Sequence, residues 1–301
     1  GDLRALCVKW PHHGEDLSSE LKALSLIGPH KHVCQMEYFI NSPKGIFLIF
    51  ERHSSSLSSY FAKLGRIDAR QAMLIFAQIH LALSYVHSLG YVHHDVKPDN
   101  ILITTSGNVK LADFGLLNKM QKDAYAEYDY RGTRDYFAPE CFKSKFVSSF
   151  IDYWALTVSI MELYYGLHPF EHPSTPRLTK NNILYNAPYY SIRNKPLHTA
   201  AEHEFFLAFL EKNPDDRPNP PSFVDFAFFS SFTKAGFSIS KMERGHYGSV
   251  FQPYPLPLIP NNHKILTVPG VGGGKAIKRK RTSERTSFKI AKKILAGKIK
   301  I

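Results

Sequence analysis

Asp95, Lys97, Asn100 and Asp113 stand in two short stretches, YVHHDVKPDNILI (Tyr91 to Ile103) and VKLADFG (Val109 to Gly115). Their types and spacing supply the parts for metal-assisted phosphoryl transfer. Moving a phosphoryl group from ATP takes little covalent help. It needs an in-line nucleophile, metal ions on the phosphates and cations against the developing charge. Asp95 would accept the proton of the incoming hydroxyl, and Lys97, two residues on, would sit beside the transferred group. Asn100 and Asp113 offer the hard oxygen ligands that Mg²⁺ prefers. Any one of these residues alone reads better as a solvated loop residue. All four, in this order, must face one cleft if they are to act together.

Two kinds of element must bring them there. Up to residue 52, Leu3 to Trp10 and Ile46 to Phe50 read as strands, and Leu17 to Ile27 places Leu17, Leu21, Leu24 and Ile27 on one helical face. From about His53 the apolar period lengthens, and Leu57 to Leu64, Ala69 to Leu89 and Ile151 to Tyr165 are helical in pattern. The expectation is an α+β, bilobal chain: a small strand-rich lobe over 1–52, a large helical lobe over 53–234, and a linker or arm over 235–285. The arm is read from the series Pro253, Pro255, Pro257 and Pro260, then Gly270 to Gly274, then Lys278 to Arg281, a composition that buries little.

The two stretches resemble the catalytic loop, H-x-D-x-K-x-x-N, and the D-F-G motif of eukaryotic-type protein kinases. The resemblance extends through Gly132 to Glu140 (GTRDYFAPE), Asp152 to Phe170 and Asn213 to Pro218 (NPDDRP), and covers roughly residues 1 to 230. It implies a bilobal protein-kinase fold and transfer from Mg-ATP to a protein hydroxyl. Lys97 and Gly132-Thr133 are similar to the serine/threonine branch. Glu140 would pair with Arg217, and Asp152 would tie down the catalytic loop. LCVKW (Leu6 to Trp10) is similar to the strand that carries the ATP-binding lysine, so Lys9 would reach the phosphates and Glu20 would pair with it. The cofactor pocket would be lined by Cys7, Leu102 and Phe50, and the backbone of Glu51 to His53 would meet the adenine edge.

Composition bounds the alternatives. The 301 residues, 44% of them hydrophobic, can bury a large core, and no apolar run approaches the roughly 18 residues of a membrane span. Three cysteines make no disulfide framework and favour a reducing compartment. The net charge of +12 is local: Lys264 to Ile301 carries twelve Lys/Arg against Glu284 alone. That basic segment could meet nucleic acid or an acidic partner, and Lys278 to Arg281 tips an intracellular expectation toward the nucleus.

Two departures from the family pattern matter. His94 replaces the arginine that in many kinases clasps an activation-loop phosphate, and residues 116–131 contain no Ser or Thr. The loop is therefore expected to order without Ser/Thr phosphorylation. The glycine-rich phosphate cover is also missing ahead of Leu6. Phe288 to Leu295 and Lys298 to Ile301 read as strand, turn, strand, and joining Ile301 to Gly1 makes a Gly-Asp hairpin turn. The chain thus reads as circularly permuted or numbered from an internal point, with 286–301 completing the small lobe and Gly297 and Gly1 covering the phosphates. Gly245 to Val250 (GHYGSV) is a rival cover. A kinase-like scaffold without turnover and a nucleic-acid-binding protein remain competing functions.

Overall fold

A computed structural model describes residues 6–251, apart from 12–15, 44, 122, 172–174, 189–198, 237 and 245–248. Gly1, Gly297, the strand pair expected over 286–301 and the glycines of the rival loop lie outside the described residues.

The first lobe is built on three antiparallel strands. β1 (Leu6–Lys9) and β2 (Met36–Ser42) flank β3 (Gly45–Glu51), with Cys7 opposite Phe50 and Lys9 opposite Leu48. Of the strand expected over Leu3 to Trp10, Leu6 to Lys9 form β1, Trp10 falls after it, and the first three residues lie outside the described residues. Helix α1 (Ser18–Ile27) follows β1. Its inner face differs from the expected leucine stripe: Leu17, Glu20, Ala23 and Ile27 are buried, while Leu21 and Leu24 are only partly covered. The helix turns a carboxylate inward, and an ion pair described below explains why.

After Glu51 the chain crosses to the second lobe. Short β4 (Ser55–Ser56) leads into α2 (Leu57–Leu64), capped by the Ser56 hydroxyl accepting from the Ser59 N–H. Helix α3 (Ala69–Ser88) starts on a capping box in which Asp68 and Gln71 satisfy each other's backbone N–H groups. The functional loops hang from the short strands that follow: β5 (Tyr91–Val92), β6 (Ile101–Ile103), β7 (Val109–Leu111), β8 (Asn118–Lys119), β9 (Ala126–Glu127) and β10 (Phe146–Val147). β4, β6 and β7 form one antiparallel sheet, β5 pairs with β8, and β9 pairs with β10.

α4 (Phe150–Tyr165) is apolar on nearly every side and buried almost throughout, as a helix through the centre of a lobe must be. It ends at Gly166 in the left-handed region (φ 84°), where an added Cβ would lie 2.6 Å from Arg66 Nε. Only glycine fits there without displacing Arg66. α5 (Pro176–Tyr185), α6 (Ala200–Phe209) and α7 (Ser230–Lys234) complete this lobe. Its floor is a cluster of aromatic rings, Phe76 against Phe205, Phe209, Phe223 and Phe229 at centroid separations of 5.0–6.0 Å.

Part of the arm expected over 235–285 is packed on the large lobe. α8 (Ile239–Glu243) is capped by Ser238, and Met242, Val250 and Phe251 are 2–5% exposed. The Phe251 N–H donates to Gly107 O, its ring meets Tyr60 at 4.4 Å, and Arg70 donates to Ser249 O. Three apolar side chains within fourteen residues suffice to dock this strap on the large lobe, and prolines begin only after it. Its described ends, on both sides of Gly245 to Gly248, rest on the large lobe.

Candidate active site

Between the lobes lies a cleft of about 690 Å³. Cys7, Lys9, Glu20, Phe50, Glu51, His53, Asn100, Leu102 and Asp113 all line it, so residues from β1, α1, β3, β6 and the loops around them converge on one cavity.

Lys9 is the hub. Its ammonium lies 2.8 Å from Glu20 Oε2 and 3.0 Å from Asp113 Oδ1. Burial pulls the Lys9 pKa down, but the bonds and charges of Glu20 and Asp113 outweigh it and hold the group above its usual value. Glu20 is 3% exposed. A carboxylate that deep persists as an ion only beside a cation, which accounts for the inward turn of α1. Asp113 has a backbone in the left-handed region (φ 62°), a strained conformation that turns the D-F-G carboxylate toward Lys9.

On the other wall, the catalytic-loop residues are bonded to one another. Asp95 Oδ1 accepts from the Thr133 N–H (3.0 Å) and hydroxyl (2.8 Å); Oδ2 accepts from Asn100 Nδ2 (2.9 Å) and lies 2.8 Å from Lys97 Nζ. Lys97 also donates to Thr133 Oγ1 at 2.6 Å. Burial would raise the Asp95 pKa, yet Lys97 and Thr133 bring it below the ordinary carboxylate value. Asp95 and Asp113 were expected to face one cleft, and here the structure differs: Asp95 borders a smaller adjoining hollow under residues 128–141. Thr133 draws its carboxylate that way. Asn100, which lines the main cleft, joins the two spaces through its bond to Asp95. With Nδ2 spent on Asp95, the amide oxygen of Asn100 and the carboxylate of Asp113 are two of the hard oxygen donors on this cleft, beside Glu20, Glu51 and Asp99, and their type suits Mg²⁺.

Behind this wall Asp152, His93 and Arg217 are buried. Asp152, 1% exposed, accepts the His93 N–H at Oδ2 (2.8 Å) and the His94 N–H at Oδ1 (2.9 Å), and His87 Nε2 bonds Oδ2 at 2.8 Å. These bonds pin a loop in which His94 takes a left-handed backbone (φ 72°). His93 is wholly buried, with Nε2 3.1 Å from Ala112 O and Nδ1 accepting from the Asp95 N–H. A proton on Nε2 satisfies both contacts. Arg217 and Glu140 form a two-pronged pair at 2.7 Å, and the guanidinium also stacks 5.0 Å from the Trp154 ring.

Some residues of the site carried no signal in the sequence. Thr133 stood out only as a branch marker, yet it holds both Asp95 and Lys97. His87 reaches Asp152 across 65 positions of chain, and nothing near it in sequence marks that contact. Cys34 lines the cleft, and its thiol lies 3.4 Å from His53 Nε2. Burial raises the Cys34 thiol to about 12 and lowers the His53 imidazole to about 4, so both partners are neutral. This contact ties the inter-lobe crossing to the segment before β2.

Comparison with known proteins agrees with this geometry. The chain is 34% identical over 177 residues to maternal embryonic leucine zipper kinase of Xenopus laevis, covering 56% of this chain and 26% of that protein. It is 30% identical over 201 residues to protein kinase C of Drosophila melanogaster, covering 66% and 26%. To myotonin-protein kinase of Mus musculus it is 35% identical over 158 residues, covering 49% and 25%. The chain thus spans about a quarter of the length of these curated relatives. The family model of the protein kinase domain matches residues 7–229. With its small antiparallel lobe, its helical lobe and the cleft between them, this chain belongs to the protein kinase domain family.

Proposed function

We propose that the chain transfers the γ-phosphate of Mg-ATP to Ser or Thr hydroxyls of protein substrates. The observation that carries this reading is a pair of networks, Glu20–Lys9–Asp113 on the cleft and Asn100–Asp95–Lys97–Thr133, which reaches the cleft through Asn100. Mg²⁺ bound by Asn100 and Asp113 would neutralise phosphate charge. Lys9, held protonated by its two carboxylates, would orient the α and β phosphates. Lys97 would offset charge that develops on the transferred group.

Asp95 would receive the substrate hydroxyl. A carboxylate below its ordinary pKa is a weak base, so its main work is to orient the hydroxyl, and it takes the proton late. A loose transition state tolerates that, because the attacking oxygen needs little extra nucleophilicity. Cys7, Phe50 and Leu102 supply apolar walls for a planar base, and the backbone of Glu51 to His53 is the edge it would meet. The completion of the small lobe by residues 286–301, with Gly1 and Gly297 over the phosphates, belongs to the same proposal. So does a contact of the basic segment 264–301 with an acidic partner.

The test is transfer of labelled γ-phosphate to a generic basic protein, with and without Mg²⁺, followed by phosphoamino-acid analysis. Label on Ser and Thr that requires Mg²⁺ is expected. ATP binding without any transfer would favour a scaffold instead.

A further inference from the structure

We propose that Tyr128 and His94 are positioning residues whose stacked rings hold the activation segment in place without any phosphate. The positioning role in turnover rests on the kinase reading above; the ring contact itself does not. The two rings lie 5.4 Å apart at an interplanar angle of 18°. Tyr128 is 4% exposed, and Phe137 meets it edge-on at 5.6 Å. The Tyr128 N–H donates to Lys145 O (2.7 Å), beside the β9–β10 pair.

The placement of these rings gives the contact its consequence. His94 immediately precedes Asp95 and is held at its own N–H by Asp152. Tyr128 is five residues before Thr133, whose N–H and hydroxyl hold the Asp95 carboxylate. The segment therefore grips the catalytic loop at two points, Thr133 on Asp95 and Tyr128 on His94. Lose the second, and of these two side-chain grips only Thr133 on Asp95 remains.

A phosphate clasp at this position has no counterpart. Such a clasp requires a cation, whereas burial holds His94 below its usual pKa and its Nε2 is enclosed. Residues 116–131 offer no Ser or Thr. The Tyr128 hydroxyl is enclosed as well, beside the buried Cys141 thiol, and a phosphate dianion placed there would have to leave the hollow. Flat stacking of an imidazole on a phenol needs no charge on either ring, so order in this segment is written into the unmodified chain.

The experiment uses the full chain after phosphatase treatment, with mass spectrometry to verify that no phosphate remains. Amide exchange should show protection at Ala126 to Tyr128 in this material. Tyr128→Leu, and independently His94→Leu, should raise exchange there about tenfold or more while α3 and α4 stay protected. The same variants should lower kcat about tenfold with KM for ATP changed less than about twofold, and Tyr128→Phe, which keeps the stack, should restore both readouts. The proposal is overturned if the phosphate-free segment is unprotected, or if both leucine variants keep wild-type protection. Should the wild type transfer no phosphate at all, the kinase reading fails while the exchange result still decides this one.

Discussion

Replacing Asp152 with Asn changes one atom and should disturb the site far more than its size implies. The carboxylate accepts at both oxygens: His93 N–H and His87 at Oδ2, His94 N–H at Oδ1. An amide has one acceptor oxygen. Its better orientation keeps the two Oδ2 contacts and turns NH₂ against the His94 N–H, donor facing donor. One charge-assisted bond, worth about 1.5–3 kcal/mol, is lost, and the orphaned N–H adds to that, for about 2–4 kcal/mol in all. His94 also loses the bond that offsets its left-handed backbone, which costs about 1–2 kcal/mol to maintain. Since His94 adjoins Asp95, kcat should fall about tenfold to a hundredfold, at about 1.4 kcal/mol per decade. Urea unfolding with an unchanged slope should report the stability loss.

The pH dependence has a definite sign. Burial raises the Asp152 pKa, but the bond and charge of His87, with His93 and His94, bring it below the unfolded value. Its contribution is complete above the unfolded value of about 3.9 and is lost as pH falls through the lower folded one. The wild type's advantage over Asp152→Asn should be flat near neutrality and shrink only below about pH 4. An Asn variant within about 0.5 kcal/mol of wild type, with unchanged kcat, would refute the assigned bonding.

Glu20→Gln should lower kcat/KM for ATP by about tenfold or more, because Lys9 then loses its buried carboxylate and leans on Asp113 alone. Stability should change little, since a neutral amide is easier to bury than a carboxylate; equal kcat/KM in both proteins would contradict the role given to Lys9. Ending the chain at Gly236 rather than at Phe251 removes the burial of Met242, Val250 and Phe251, each worth about 1.5–3 kcal/mol as an upper bound. After the entropy of ordering the strap is subtracted, about 2–4 kcal/mol should be lost in urea unfolding, and an unshifted midpoint would mean the strap does not brace the lobe.

The parts of this site that sequence revealed are those fixed by chain-local rules. Asp95, Lys97 and Asn100 share one loop whose spacing is set by the chain itself, α2 and α3 follow from apolar period and capping, and α4 from a long, mostly apolar run that ends at Gly166. Leucine spacing misjudged the inner face of α1 because Glu20 is buried for its charge partner, a contact made only once β1 packs beside the helix. Thr133, His87 and Cys34 act through partners 38, 65 and 19 positions away, distances at which no periodicity carries information. The strap was misread for a related reason. Its composition is polar on average, and only the pocket formed by Met73, Phe223 and Phe229 makes Met242 a core residue. Residues 252–301 and Gly1, and with them the expected junction of Ile301 with Gly1, lie outside the described residues.

The most direct measurement compares wild type with Asp95→Asn in Mg²⁺-dependent transfer of labelled γ-phosphate to a Ser/Thr-containing protein, with ATP binding followed in parallel. A fall in kcat of at least about a hundredfold with ATP affinity retained is expected. Equal transfer by the two proteins would contradict it.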